Sequence, residues 1–163
     1  FNSFTGFALA GFAQAAETLV GRAIGARDRG DLDDSLRATF VLAAGVAVIF
    51  TIVYWVGGPL LISLLTDIQD VRTEALRYLP WAATMPAIAV WSFQLDGVFW
   101  GAARGRDMRN MMLISAACFA VTAVLAVPPL GNHGLWLAIF VFLAARAVTL
   151  GSRLPAVLRS VEA

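Results

Sequence analysis

Three long stretches of this chain contain no charged residue, and they restrict what the chain can fold into more than any other feature. They lie between Arg37 and Asp67, between Arg77 and Asp96, and between Arg109 and Arg146. A bilayer core of about 30 Å is crossed by about 20 apolar residues in a helix. We therefore expect the first two stretches to cross a membrane once each and the third to cross twice.

The composition agrees with a membrane environment. Apolar residues make up 60% of the chain and charged residues 14%, whereas charged residues are about 25% of an average soluble domain. The sequence therefore indicates an all-α polytopic membrane protein.

We expect five transmembrane helices, at about residues 3–24, 36–56, 74–102, 110–127 and 133–150. The segment GGP at 57–59 is expected to stop the second helix, and PPLGN at 128–132 to end the fourth. Pro80 and Pro86 lie inside the third helix, where membrane proteins tolerate proline. A kink or broken turn is expected near Met85.

The arginines predict the orientation, because all 12 basic residues are Arg. With five alternating helices, nine of them fall on one side: Arg22, Arg27, Arg29, Arg37, Arg104, Arg106, Arg109, Arg153 and Arg159. By the positive-inside rule that side is cytoplasmic, which places the N-terminus outside in a bacterial inner membrane. Because the sequence starts with Phe1 rather than Met, and its first residues lack the pattern of a signal peptide, we expect a fragment that lacks at least one upstream spanning segment.

One face of the first helix carries polar and small residues. Ala10, Gln14, Glu17, Gly21 and Gly25 recur at steps of three or four, so they share one face. Glu17 and Gln14 are candidates for binding an ion or an organic cation, and the alternative for Glu17 is a structural carboxylate near the cytoplasmic surface. The two glycines are expected to allow close helix packing.

Asp96 and Arg146 are the charges placed deepest in the apolar stretches. Asp96 precedes Arg104 by eight residues, roughly 12 Å of helix, and Arg146 precedes Arg153 by seven, roughly 10 Å. Opposite charges at one depth are expected to face the bundle interior and to pair or share a wet cavity. Snorkelling of Arg146 to the interface is the alternative. Asp96 is the main candidate for the coupling ion or a cationic substrate.

Aromatic residues fall into two groups. Trp91, Phe99 and Trp100 surround Asp96 in sequence and are candidates for lining a cavity, with packing against lipid as the alternative. A second group is expected to form an interfacial belt at the external face, with His133 facing water nearby: Tyr54, Trp55, Tyr78, Trp81 and Trp136. No catalytic or metal-binding motif is present, so we expect no enzyme activity, no metal and no cofactor.

Three segments resemble the multidrug and toxic compound extrusion (MATE) family, and the last two are most similar to its DinF branch. They are GFAQAAETLVGRAIGARDRGDLDDSLRAT at 11–39, LTDIQDVRTEALRYLPWAATMPAIAVWSFQLDGVFWGAARGRDMRN at 65–110, and GNHGLWLAIFVFLAARAVTL at 131–150. The resemblance implies a two-lobe transporter of twelve helices, of which this chain would supply helices eight to twelve in the C-terminal lobe.

The resemblance also implies a function and a set of partners. The function is efflux of amphipathic, cationic compounds by alternating access, coupled to H+ or Na+. The partners are membrane lipids, a small-molecule substrate and the missing N-terminal lobe, with no nucleic acid. Two alternatives stay open: a lipid-linked oligosaccharide flippase, which needs more cationic groups in its cavity, and a membrane scaffold subunit that transports nothing.

Overall fold

The fold is a set of antiparallel helices, which the computed structural model describes over residues 2–159. Within that range there are five α-helices and no strand: α1 (Asn2–Ala26), α2 (Arg29–Leu65), α3 (Gln69–Gly101), α4 (Gly105–Leu130) and α5 (Asn132–Arg159). Connections of one to three residues make consecutive helices antiparallel neighbours. The expected all-α membrane class is confirmed.

Three of the five helices stand out by their length and apolar composition. α2, α4 and α5 are long and apolar enough, by length and composition, to cross a membrane. α1 and α3 carry Glu17, Gln94 and Asp96. α3 packs against α1, α2 and α5, and its Ser92 and Gln94 side chains are buried.

The two turns at the arginine-rich end share one geometry. Arg27 and Ala103 adopt left-handed φ values of 54° and 53°. In each turn the next amide reaches back five residues, Asp28 N to the Ala23 carbonyl and Arg104 N to the Phe99 carbonyl, both at 3.0 Å. This is the Schellman arrangement that ends many helices. The connection expected between the first two helices, residues 25–35, is thus a short turn at 27–28, and Asp31, Asp33 and Asp34 lie at the start of α2.

The prediction that GGP stops the second helix is wrong. α2 continues through Pro59 to Leu65, as membrane helices can when neighbouring groups compensate for a proline. It ends instead where Arg72 Nη2 donates to the Ser63 carbonyl at 2.8 Å and the backbone turns extended at Thr66. α3 is likewise an unbroken helix across both of its prolines.

α5 extends nine residues beyond the expected end at 150, to Arg159. Two arginines from the turns satisfy its last carbonyls: Arg29 Nη1 donates to Leu158 O and Arg104 Nη2 to Ala156 O, each at 2.7 Å. Cationic side chains at a helix C-terminus stabilise it through these hydrogen bonds and the helix dipole. Some of the arginines that predicted orientation therefore also hold the bundle together.

Neutral hydrogen bonds also join helices at the opposite end. Thr5 Oγ1 donates to Tyr54 Oη at 3.1 Å, and Trp81 Nε1 donates to His133 Nδ1 at 2.9 Å. The predicted belt is therefore wrong for Tyr54, which is buried. His133 is also not simply facing water, because it accepts the indole proton and packs on the Tyr78 ring at 4.8 Å.

Small residues set the spacing between α1 and α3. A Cβ atom on Gly97 would lie 2.1 Å from the Ala13 carbonyl oxygen, and one on Gly101 would lie 2.4 Å from the Glu17 carbonyl oxygen. Lipid offers no hydrophobic drive between helices, so close packing of small residues supplies much of their association. The backbones of α1 and α3 thus touch at a Gly-x-x-x-Gly pair.

We expect Gly97→Ala to separate α1 from α3 and to destabilise the bundle by about 1–3 kcal/mol, the usual cost of overpacking. The measurement is the midpoint of thermal unfolding of the purified complete gene product in detergent. Gly45→Ala is the matched control, because a Cβ there meets nothing within 4 Å. Equal midpoints for the two variants would contradict the close approach.

Candidate functional site

The close approach of α1 and α3 forms the floor of a cleft of about 200 Å³. α1 contributes its predicted polar stripe, and α3 contributes the turns around Asp96. The lining residues are Ala10, Ala13, Gln14, Glu17, Phe93, Asp96, Gly97 and Trp100. The structure thus brings together Glu17, Gln14, Asp96 and Trp100, four of the residues predicted for the site.

Asp96 forms an ion pair with Arg146 across the α3–α5 contact. Arg146 Nη2 lies 2.7 Å from Asp96 Oδ1, and Nε lies 3.0 Å from both carboxylate oxygens. The two side chains are 26% and 12% exposed. The pairing expected from their matching depths is present, and the third guanidinium nitrogen of Arg146, Nη1, contacts the Met112 sulfur.

Glu17 provides a second carboxylate in the cleft. Its side chain is exposed, and among residues 2–159 it forms no hydrogen bond or ion pair. Asp96 and Arg146 cancel each other's charge. The cleft and its paired arginine therefore carry a net charge of −1, which belongs to Glu17.

The floor of the cleft also fixes the backbone position of Glu17. The carbonyl of Glu17 faces Gly101, and the carbonyl of Ala13, one turn earlier, faces Gly97. Larger residues at these two glycines would push α1 away from α3 and separate Glu17 from Asp96. The glycines therefore act on the site through backbone position alone.

The other two predicted cavity residues do not line this cleft. Phe99 is fully buried in the core at the arginine-rich end, packed with Val98 and Leu95 among others. Trp91 stacks on Phe40 of α2, with ring centroids 6.4 Å apart. Each residue of a helix is turned by about 100° from the last, so nearness to Asp96 in sequence does not put these rings on its face.

Sequence reasoning missed Gly97 and Gly101, which set the depth of the cleft. The signal was available in GVFWG at 97–101, a Gly-x-x-x-Gly spacing in an apolar helix. The predicted packing glycines behave differently: a Cβ on Gly21 would be 3.4 Å from the Gly101 carbonyl oxygen, and one on Gly25 would meet nothing.

The cleft offers cation-binding groups rather than a metal cluster. The polar groups that line it are the carboxylates of Glu17 and Asp96 and the amide of Gln14, and the rings of Phe93 and Trp100 line it as well. Within the described residues no group of three or more His, Cys, Asp or Glu side chains lies close enough to hold a metal. This arrangement suits one monovalent cation, with aromatic faces available to an organic one.

The amino-acid sequence of the chain is similar to that of known proteins. The MatE family model matches residues 1–127. The DNA damage-inducible protein F of Escherichia coli (strain K12) is 46% identical over 150 residues, which are 92% of this chain and 32% of that protein. The chain thus spans about a third of the length of this curated relative. No solved structure matches this chain.

We expect Asp96→Asn to leave Arg146 as a buried, unpaired charge and to cost about 3–5 kcal/mol of stability. Asp96→Asn combined with Arg146→Gln should recover much of that loss, since it removes the charge as well. Thermal unfolding of the complete gene product measures both variants.

The control is Asp31→Asn, which breaks the exposed pair that Asp31 forms with Arg22 at 2.8 Å. Exposed pairs contribute about 0–1 kcal/mol, so this change should have little effect. An Asp96→Asn variant as stable as the parent would mean that Arg146 reaches the membrane interface without its partner.

Proposed function

The chain belongs to the MatE family, whose members are transporters, and on that premise we propose that it supplies a cation-binding cleft to a secondary transporter. The transporter exports amphipathic, cationic compounds by cation-coupled antiport with alternating access. The observation that carries the proposal is the net negative cleft between α1 and α3, in which Glu17 has no partner among the described residues. The coupling ion is H+ or Na+.

Charge decides which residue binds the cation. Asp96 already has a permanent cation at 2.7 Å, and displacing it would leave Arg146 unpaired at a cost of several kcal/mol, about 3–5 in measured cases. Glu17 has no such competitor. We therefore assign the cation contact to Glu17 and treat Asp96 and Arg146 as the pair that positions α3 against α5.

Aromatic rings favour an organic cation as the exported compound. Trp100 is 63% exposed and lines the cleft together with Phe93. A cation over such a ring gains about 0.5–2 kcal/mol, most when water is excluded. Gln14, one turn before Glu17, adds an amide that can accept a hydrogen bond from the compound.

A lipid-linked oligosaccharide flippase fits the cleft less well. Such a ligand carries a diphosphate, which requires arginine or lysine in the binding cavity. The residues lining the cleft include two carboxylates and no arginine. A scaffold subunit remains the alternative from another class, and it requires no effect from neutralising Glu17.

The arginine-rich end is assigned to the cytoplasm by the positive-inside rule. On this assignment the chain crosses a bacterial inner membrane several times, with residue 1 outside and residue 163 inside. The remaining parts of the transporter, including the other lobe, complete the substrate pathway, because substrate sites in transporters built from repeats lie between the repeats.

We expect Glu17→Gln to reduce export by about ten-fold or more, since a lost charge contact of about 1.4 kcal/mol or more is a factor of ten. The measurement is efflux of a fluorescent lipophilic cation from cells that express the complete gene product. Glu74→Gln is the matched control, because Glu74 pairs with Arg77 outside the cleft. Undiminished efflux by the Glu17→Gln variant, at equal membrane levels, would favour the scaffold.

The orientation has its own test by cysteine labelling in a Cys118→Ala background. Cysteines replacing Arg27 or Arg106 should react with an impermeant maleimide only after the cells are opened, whereas one replacing Asp67 should react in intact cells. All three positions are exposed. Labelling of position 27 or 106 from outside would reverse the topology.

A further inference from the structure

A second cleft, of about 260 Å³, lies on the other side of the ion pair. It opens between α3, α4 and α5, where α4 packs mainly on α5 and barely touches α3. Its lining residues are Trp100, Gly105, Met108, Arg109, Met112 and Arg146. Two arginines line it and no acidic residue does, so its charge is opposite to that of the first cleft.

Arg109 is the arginine of this cleft that a ligand could engage. Its side chain is exposed, and the contact it makes within the described residues is with Asn110 Oδ1 at 3.4 Å. The nearby carboxylate of Asp107 is paired with Arg104 at 3.2 Å. Arg109 therefore has no anionic partner among residues 2–159.

The rim of the cleft is apolar. Trp100 and Met112, which both line the cleft, are 63% and 42% exposed. An indole ring next to a guanidinium group is typical of the level where lipid headgroups meet acyl chains. A small anion in water would use Arg109 and leave this apolar surface uncovered.

Charge and apolar surface together select one class of ligand. We propose that this cleft binds an anionic phospholipid from the leaflet at the arginine-rich end, with its phosphate on Arg109 and an acyl chain along Trp100 and Met112. Basic clefts between transmembrane helices bind such headgroups. The site is independent of the proposed transport function, because none of its evidence involves Glu17.

The site nevertheless adjoins the first cleft. Trp100 lines both clefts, and Arg146 lines the second while its partner Asp96 lines the first. A lipid in the second cleft would therefore lie beside the ion pair without entering the first cleft.

Native mass spectrometry of the delipidated complete gene product can test the site. We expect dioleoyl-phosphatidylglycerol to bind more tightly than dioleoyl-phosphatidylcholine at the first lipid bound. Arg109→Gln should weaken phosphatidylglycerol about five-fold, as expected for one arginine near a headgroup. Arg109→Lys should retain most of the affinity, since it keeps the charge.

Arg106→Gln is the control, because Arg106 lies on the same helix, is exposed and does not line the cleft. It should leave the first phosphatidylglycerol affinity unchanged. Equal affinity for the two lipids, or equal losses in the Arg109→Gln and Arg106→Gln variants, would overturn the proposal. Displacement of phosphatidylglycerol by millimolar inorganic phosphate would also overturn it, because the site would then be one for free anions. A protein that binds no lipid would overturn it too, because other parts of the protein would then cover the cleft.

Discussion

The ion pair between Asp96 and Arg146 is the contact around which the inner face of this bundle is arranged. A single charge within a bilayer costs from about 3 to more than 10 kcal/mol, depending on how far water and headgroups reach it. Arg146 Nη2 lies 2.7 Å from Asp96 Oδ1, so each charged group replaces much of the hydration that the other loses in the membrane. The pair therefore fixes α3 against α5 at one depth, and both clefts open beside it.

The two clefts differ in charge because the pair separates them. Glu17 and Asp96 face one side, and Arg109 and Arg146 face the other. The net charge of each side depends on where the Arg146 guanidinium lies, since a shift away from Asp96 would leave the first cleft with two free carboxylates. The position of the Arg146 guanidinium thus sets the charge of both clefts, although only Trp100 lines both of them.

Counting along helices predicted the charged part of the site. The depths of Asp96 and Arg146 and the stripe of Gln14 and Glu17 follow from helical periodicity alone, and the structure places all four as that counting requires. Phe99 and Trp91 could not be placed in the same way, because the face a ring occupies depends on the rotation of α3 against its neighbours. Helix ends were also beyond prediction where distant side chains decide them, as Arg72 does for α2.

The bundle is fastened unequally at its two ends. At the arginine-rich end, guanidinium groups from both turns hold the last carbonyls of α5, and hydrogen bonds from charged groups are roughly twice as strong as neutral ones. At the opposite end the charged hydrogen bond from Arg72 joins α3 only to the neighbouring α2, and α3 meets α5 through neutral contacts such as Trp81 to His133. When the helices rearrange, we therefore expect α3 and α5 to separate first at that end, with the arginine-rich end serving as the hinge.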